Sequence, residues 1–475
     1  MAQTQNDSVA LPPRLPLVVT TNNRSNSVDK DSRLINCFIE VDKNTNELSI
    51  FKRPGLLKAA SVVTNRQGLG IYYWNGHVYS VWEEILYEDT TQISNEMDDT
   101  HGPYRFDSIL GATPKLLLGN GYHAYSYYND GTMHLSADLH TINVEYPEIT
   151  VKGFSYLNGY TYVMQPQAVI WQSDLNSVDQ VGDWNAIDYI GAHIEPDNGV
   201  FLSKQLVYVV ALKQWTIEYF FDAGNTTGSS LGAVQGMKVS YGCAHQDSVV
   251  KINDVLFFLS QDQNASLQVS RLEQGAHTIV STPAIDRLLD GIDTTTIYSW
   301  QLKINGHSFY IITFKEADLT LVYDITQDLW SQWTDKDGHY FPIVASTYDA
   351  QGRHVVQHEN DGCLYYMSSD YHTDDGAPIV SDIITPLYDA GTYRRKQMKM
   401  IKLVADQQSG DLLKIRHSDN DYGNWSNWRT FNLGHRQPLL TNCGTFVKRA
   451  YQLRHDTPFP MRIRALEVQI DIGTL

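Results

Sequence analysis

From about residue 60 to 375 of this 475-residue chain, apolar positions alternate with polar ones or gather in short runs bounded by Gly, Asn and Asp. That pattern predicts antiparallel meander strands with hardly any helix. Residues 304–334, "INGHSFYIITFKEADLTLVYDITQDLWSQWT", show the unit. An Asn-Gly turn launches HSFYIITF, KEAD turns the chain, LTLVYDI returns, and TQD leads into LWSQWT. Similar openings occur at Asn75, Asn120 and Asn158, with weaker ones at Lys204, Asn253 and Gln351; with Asn305 the intervals are 45, 38, 46, 49, 52 and 46 residues. Four-stranded propeller blades repeat at roughly 40–50 residues. A long sandwich is the competing architecture. In the propeller, Tyr73, Trp82, Trp330 and Trp333 are expected to fill the wedges between blades.

One helix interrupts the strands: "STPAIDRLLDGID" offers Ser281 or Thr282 as cap, Pro283 as first helical residue and Gly291 as terminator. Beyond "DDGAP" the strands alternate strictly, as in "MRIRALEVQID", which predicts a β-sandwich with Arg462, Arg464 and Glu467 on its wet face. Residues 1–31 lack any period. The expected fold is therefore all-β: an extended N-terminal arm (1–32), a β-propeller of six or seven blades (33–375) and a C-terminal β-sandwich (376–475).

Charge sharpens this division. The net charge is −18, but residues 376–475 carry 14 Lys/Arg against 9 Asp/Glu, so the rest holds 22 against 45. An acidic body of −23 argues against gripping nucleic acid through its phosphates, and suits a surface past which a polyanion slides. Plain solubility is the simpler explanation of the charge. Cys37, Cys243, Cys363 and Cys443 lie too far apart for a zinc framework and suit free thiols in a reducing compartment. No basic-then-apolar leader opens the chain and no apolar window approaches ~20 residues, so folding in a cytoplasm without membrane insertion is expected.

Candidate chemistry is sparse. In the glycine-rich run 224–236 no Lys directly follows a glycine, so it reads as a loop rather than a phosphate cradle. "SDNDYGNW" places Gly423 one position early for a calcium loop and reads as a hairpin turn. His354 and His358 fall on one strand face ~13 Å apart, too far for one metal. No nucleophile, base and orienting group can be assembled, and no cofactor or metal residues are assigned. The sharpest feature is "YRRKQMKMIK", where Arg394, Arg395, Lys396, Lys399 and Lys402 read either as solvated strand ends or as a contact for an acidic partner.

Residues 214–260 contain Thr216, Ile217, Glu218, Tyr219 and Phe220, then a Gly/Ala/Thr loop and a turn near Gly242. This run resembles the packaged-DNA stabilisation proteins of short-tailed, P22-like bacteriophages, the tail hub or nozzle. "RLINCFIEVDKNTNELSIFKRPGL", with Asn36, Pro54 and Gly55, resembles the family's opening, and the order of later elements agrees over about 33–475. Gln214-Trp215 departs from the usual small polar start.

The resemblance implies a non-enzymatic virion protein, assembled in the host cytoplasm into the tail. It implies a homo-hexameric ring below the portal and the adaptor (the head-to-tail connector). Such a ring would extend the DNA channel, retain genomic DNA without sequence-specific binding, and dock a tail spike or fibre and a needle or plug protein. The oppositely charged body and C-terminal module, with Arg394, Arg395, Lys396, Lys399 and Lys402, would supply inter-subunit or partner contacts. The alternatives are a sialidase-like propeller glycosidase and a glycan-binding adhesin using Trp425 and Trp428.

Overall fold

The computed structural model describes residues 13–17, 32–42, 47–263 and 267–473, and the chain forms two compact units. One comprises residues 56–326 and 339–368, the other residues 1–55, 327–338 and 369–475.

The larger unit is a wheel of antiparallel sheets, in agreement with the expected propeller. Its first four sheets are consecutive four-stranded meanders, running Gly68–Trp74 to Thr91–Ser94, Arg105–Ile109 to Met133–Leu135, Ser155–Leu157 to Trp184–Gly191, and Gly199–Gln205 to Leu231–Ala233. A fifth sheet centres on Val255–Gln261 and Gln268–Glu273, and a sixth on Ile297–Ile304, His307–Phe314 and Leu319–Asp324. The seventh joins Ile343–Tyr348, His354–His358 and Cys363–Ser368 to residues 56–61, so chain distant in sequence closes the wheel.

Turn chemistry sets the register. Asn75-Gly76 (φ 48°, 93°), Asn158-Gly159 (53°, 96°) and Asn305-Gly306 (50°, 81°) place both central residues in the left-handed region that a two-residue hairpin requires. Each joins the first and second strands of its sheet. Asn120-Gly121 does not: it joins the second and third strands of its sheet, which explains the uneven first intervals.

Aromatic side chains fill the wedges, as expected for Trp82 and Tyr73. Trp82 is fully buried among Ile71, Val78, Val355 and Leu364, between the first and seventh sheets, with Tyr73 at its margin. Tyr79 and Tyr127 meet at 5.4 Å between the first and second sheets, and the Tyr127 hydroxyl donates to Glu88 Oε2. Fully burying one such ring contributes about 1.5–3 kcal/mol, provided its hydroxyl finds a partner. The helix Pro283–Leu289 follows the fifth sheet; Thr282 Oγ1 accepts from Ile285 N, Pro283 opens the helix, and Gly291 (φ 70°) follows its end.

The smaller unit is a sandwich, and it corrects the expected boundaries. Residues 376–475 do not complete it alone. In one sheet Arg462–Ile472 is flanked by Lys396–Ala405 and Leu48–Lys52, with Cys37–Val41 beyond the latter. In the other, Arg33–Ile35 lies between Leu329–Gln332 and Ser381–Ile384, followed by Ala450–His455, Leu412–Ser418 and Arg429–Asn432. Leu34, Ile39, Ile50, Ile401, Leu413 and Leu453 share the core between them. Trp330 and Trp333 thus belong to this unit, with Trp333 beneath the Arg53 guanidinium. Most of the expected arm, 1–32, lies outside the described residues. Of it, Arg14–Leu15 pairs with Leu466 and Glu467, and Leu15 and Leu17 are buried. Arg464 is exposed, and Arg462 and Glu467 partly so, on the outer face as expected.

A buried polar node ties the remote strands together. Asn36 (φ 54°) donates to the Thr334 hydroxyl and the Val380 carbonyl, while its side-chain oxygen accepts from Arg53 Nε and Thr334 N. Arg53, 1% exposed, also donates to both Asp374 carboxylate oxygens and to the Thr334 carbonyl. Removing one partner of a buried ion pair strands the other, at about 3–5 kcal/mol. Arg53→Ala is therefore expected to lower the unfolding free energy of the sandwich by that amount, seen as a lower urea midpoint, while leaving the wheel's transition in place; near-UV circular dichroism of the full chain with domain-resolved calorimetry checks it.

Candidate functional site

The wheel's axis holds the principal cavity, about 710 Å³, lined from all seven sheets by residues that include Tyr72, Arg105, Asp107, Lys204, Lys251, Trp300 and Ser346. Inner strands point their side chains here because neighbouring sheets cover both of their flanks. This volume matches a small ligand.

A charged cluster beside the cavity crosses the axis. Lys152 follows the short helix of the second sheet, and its buried ammonium donates to both carboxylate oxygens of Asp247 at 2.8 and 2.9 Å. Asp247 sits in the Gln246–Ser248 turn of the fifth sheet. Its carbonyl accepts from Arg105 Nη2 of the second sheet at 3.1 Å and from the Ser299 hydroxyl of the sixth. Burial pushes the Asp247 carboxyl up, but Lys152, Arg105 and His245 outweigh this and hold it below the usual range. Gly153 permits the arrangement, since a Cβ there would meet the Leu202 carbonyl at 2.2 Å. Sheets two, five and six, and the connection that leads through Lys152 into sheet three, are thus cross-linked through the middle of the wheel.

The sequence-predicted basic cluster is divided by the structure. Arg394 and Arg395 are exposed, beside Tyr393 at 79% exposure. Lys399 pairs with Asp471 at 2.5 Å and Lys402 approaches Glu467 at 3.7 Å. Lys396 is no surface group: its ammonium donates to the carbonyls of Thr392, Arg394 and Val447 and lies over Phe446, so its expected role as a contact is withdrawn. The strand alternation that exposes Gln397 and Lys399 turns Lys396 inward.

Other expectations resolve similarly. "SDNDYGNW" forms the hairpin loop between Leu412–Ser418 and Arg429–Asn432, where Arg449 holds Asp419 and Lys448 holds Asp421. Gly224–Gly236 is a loop apart from the short strand Leu231–Ala233. Trp425 and Trp428 are partly buried, and Arg416 lies over both at 5.1 and 4.4 Å, so guanidinium occupies faces an adhesin would present to sugar. His354 packs against Tyr348 and Trp300, and burial pushes it down to about 4. All four cysteines are free and buried, and no helix among the described residues is long and apolar enough to cross a membrane. Sequence reasoning missed Arg105, Lys152 and Asp247, which are far apart in the chain; the one local signal was a lone Lys before glycine in "ITVKGFSY".

The geometry defines a β-propeller braced across its axis and joined to a β-sandwich, and sequence comparison makes this specific. The chain belongs to the family described as Bacteriophage P22 Gp10, beta-propeller, the phage stabilisation family, whose model matches residues 15–372. No curated protein matches the chain. Among solved structures, the Pan2 WD40 domain of Neurospora crassa is 11% identical over 67% of this chain and 94% of that one, at a TM-score of 0.40. BBS1N in complex with ARL6DN is 11% identical over 66% and 97%, at 0.41. Likenesses this distant do not bear on role.

Asp107 supplies a pH test of the cavity. Burial raises its carboxyl to about 6, with Lys251 and Lys204 opposing. A folded-state value above the unfolded one means the folded chain holds its proton longer, so the group's stabilising contribution is complete below about pH 3.9 and is lost as pH rises through 6. Asp107→Asn is expected to raise the thermal midpoint of the wheel at pH 7.5 and leave it nearly unchanged at pH 4, as scanning calorimetry at both values would read.

Proposed function

We propose that the chain is the hub or nozzle protein of a short phage tail. Copies form a ring, six to the turn, below the portal and its adaptor; genomic DNA is retained above and passes without sequence-specific binding. The ring docks tail spikes or fibres and a needle or plug, has no catalytic role, and resides in the virion tail after assembly in the host cytoplasm. The observation that carries this reading is the family match across residues 15–372.

Two features of the molecule support it. By unit, the wheel holds 14 basic and 33 acidic residues, a net −19, while the sandwich unit holds 22 and 21, a net +1. The acidity expected of the body therefore resides in the wheel, while the positive charge of residues 376–475 is largely cancelled by the other segments of the sandwich unit. Second, the Lys152–Asp247–Arg105 cluster crosses the wheel's axis, so a duplex would run between copies in the ring, past acidic wheel surfaces that do not hold it.

The outer strand of the third sheet is a surface such a ring can cover. Trp184–Gly191 has eight residues, against four or three in the outer strands Thr91–Ser94 and Met133–Leu135. It exposes Ile187 (67%) and Tyr189 (50%), close in sequence to Val181 (87%) and Ile194 (52%). A long edge with apolar side chains is open to pairing unless a partner covers it.

The test is loss of the chain from virions. Phage lacking it are expected to fill their heads and then lose DNA, and the purified chain with adaptor is expected to show sixfold rings by negative stain. Virions that lack the chain yet keep both DNA and a complete tail would refute the reading. Within that frame, Arg394→Gln with Arg395→Gln is expected to weaken ring formation about tenfold or more without moving the unfolding midpoint, read by sedimentation with adaptor. Unchanged assembly would remove the basic pair from the interface.

A further inference from the structure

A second constellation lies in the wheel, away from the axial cavity and the basic strand. Asp98 and His101 stand in the connection from the first sheet to the second, and His123 in the turn that follows Lys115–Gly119. Each offers one ligand atom, and the three atoms lie within 4.8 Å of one another. The ligands around a tetrahedral ion at 2.0–2.1 Å sit about 3.3 Å apart, so a modest adjustment of the two loops, with the Asp98–His101 contact opening slightly, would complete the site.

The surrounding groups hold the three side chains in place. Asp98 Oδ2 accepts from Asn120 Nδ2 at 2.8 Å, and Oδ1 accepts from the Thr100 hydroxyl at 2.6 Å. The His101 ring stacks on Tyr122 at 3.7 Å, with its Nδ1 2.6 Å from Asp98 Oδ2. His123 Nδ1 lies 2.7 Å from Asp138 Oδ2, and Asp138 is itself fixed as the cap of the helix Leu139–Ile142. A carboxylate behind the imidazole keeps the proton on Nδ1 and leaves the Nε2 lone pair free, the outer-shell arrangement that orients metal-bound histidines. Side-chain exposures of 11% for Asp98, 34% for His101 and 40% for His123 leave an entry path.

We propose that Asp98, His101 and His123 form a binding site for a zinc-class divalent ion, which staples the connection between the first two sheets to the hairpin turn of the second. Two imidazoles and one carboxylate suit zinc, cobalt or nickel; calcium and magnesium favour all-oxygen sets. Water completes the coordination. The sequence separates Asp98 from His123 by 25 positions, so no short spacing motif announces the site.

The test uses the full chain, stripped with chelator and titrated with zinc chloride by calorimetry, with cobalt chloride as a spectroscopic probe. Wild type is expected to bind one equivalent at micromolar concentration or tighter, to give the visible bands of nitrogen- and oxygen-bound cobalt, and to melt at a higher temperature with zinc. His123→Gln and Asp98→Asn are each expected to lose at least tenfold in affinity. Asp138→Asn keeps a competent helix cap but removes the carboxylate behind His123, and is expected to lose about 10–100-fold. His134→Gln, elsewhere on the second sheet, is expected to bind as wild type does. No saturable binding by the stripped wild type, a measurement that needs no variant, overturns the proposal. So does undiminished binding by His123→Gln.

Discussion

A single guanidinium organises the sandwich. Arg53 reaches Asn36, Asp374 and the Thr334 carbonyl, so strands from 33–37, 48–55, 327–338 and 369–384 are fastened at one buried point. A planar fork can meet both Asp374 oxygens in parallel while leaving Nε to Asn36, which a lysine could not reproduce. Asn36 answers from a left-handed backbone, where Asn is among the few residues tolerated, and its own peptide joins in: Arg53 N and the Ser381 hydroxyl both donate to its carbonyl. Burying this much polarity is tolerable because nearly every donor and acceptor is matched. The sandwich cannot form from 376–475 alone, since its sheets and this node both require the earlier segments.

The wheel solves a different problem. All but the seventh sheet fold from neighbouring residues and then cover the next, so most of their contacts are apolar and repeated, as in the pairing of Tyr79 with Tyr127 or Phe257 with Tyr310. Apolar wedges tolerate small rotations. The Lys152–Asp247 pair with Arg105 resists them, because its partners come from opposite sides of the wheel and lose their compensation if the sheets shift. This makes the wheel a braced disc instead of a conduit, so in the proposed ring any channel would have to lie between copies.

Local chemistry was legible in the sequence wherever local chemistry decides the outcome. Asn-Gly pairs became hairpins, Thr282 and Pro283 opened a helix, and the alternation of 462–468 put Arg464 outside and Ile463 inside. The failures share one physical cause. Trp330 and Trp333 look like any blade strand, because a strand's pattern reports which faces are buried and not against what. Lys396 reads as surface charge in a basic run, yet three carbonyls 4, 2 and 51 residues away take up its ammonium. The axial cluster joins segments that only the closed wheel brings together, and the Asp98–His101–His123 group joins a connection to a turn 25 residues away with no spacing motif.

In a ring of the proposed kind, charge placement constrains how copies can meet. With −19 on each wheel and about +1 on each sandwich, wheel-to-wheel contact is repulsive, and the near-neutral sandwich offers little attraction to offset it. Ring closure by matched opposite charge, the mode suggested by the linear sequence, loses much of its driving force once residues 327–338 and 369–375 are counted with the sandwich. Apolar burial has to supply what Coulomb attraction does not, and the exposed Ile187 and Tyr189 edge can supply it in proportion to the area covered. Repulsion between wheels also weakens with salt, with a screening length of about 8 Å at physiological ionic strength, whereas apolar burial does not. A ring held this way tightens as salt rises. A ring held by Arg394 and Arg395 on acidic partners loosens instead, so the sign of the salt dependence separates the two modes of closure.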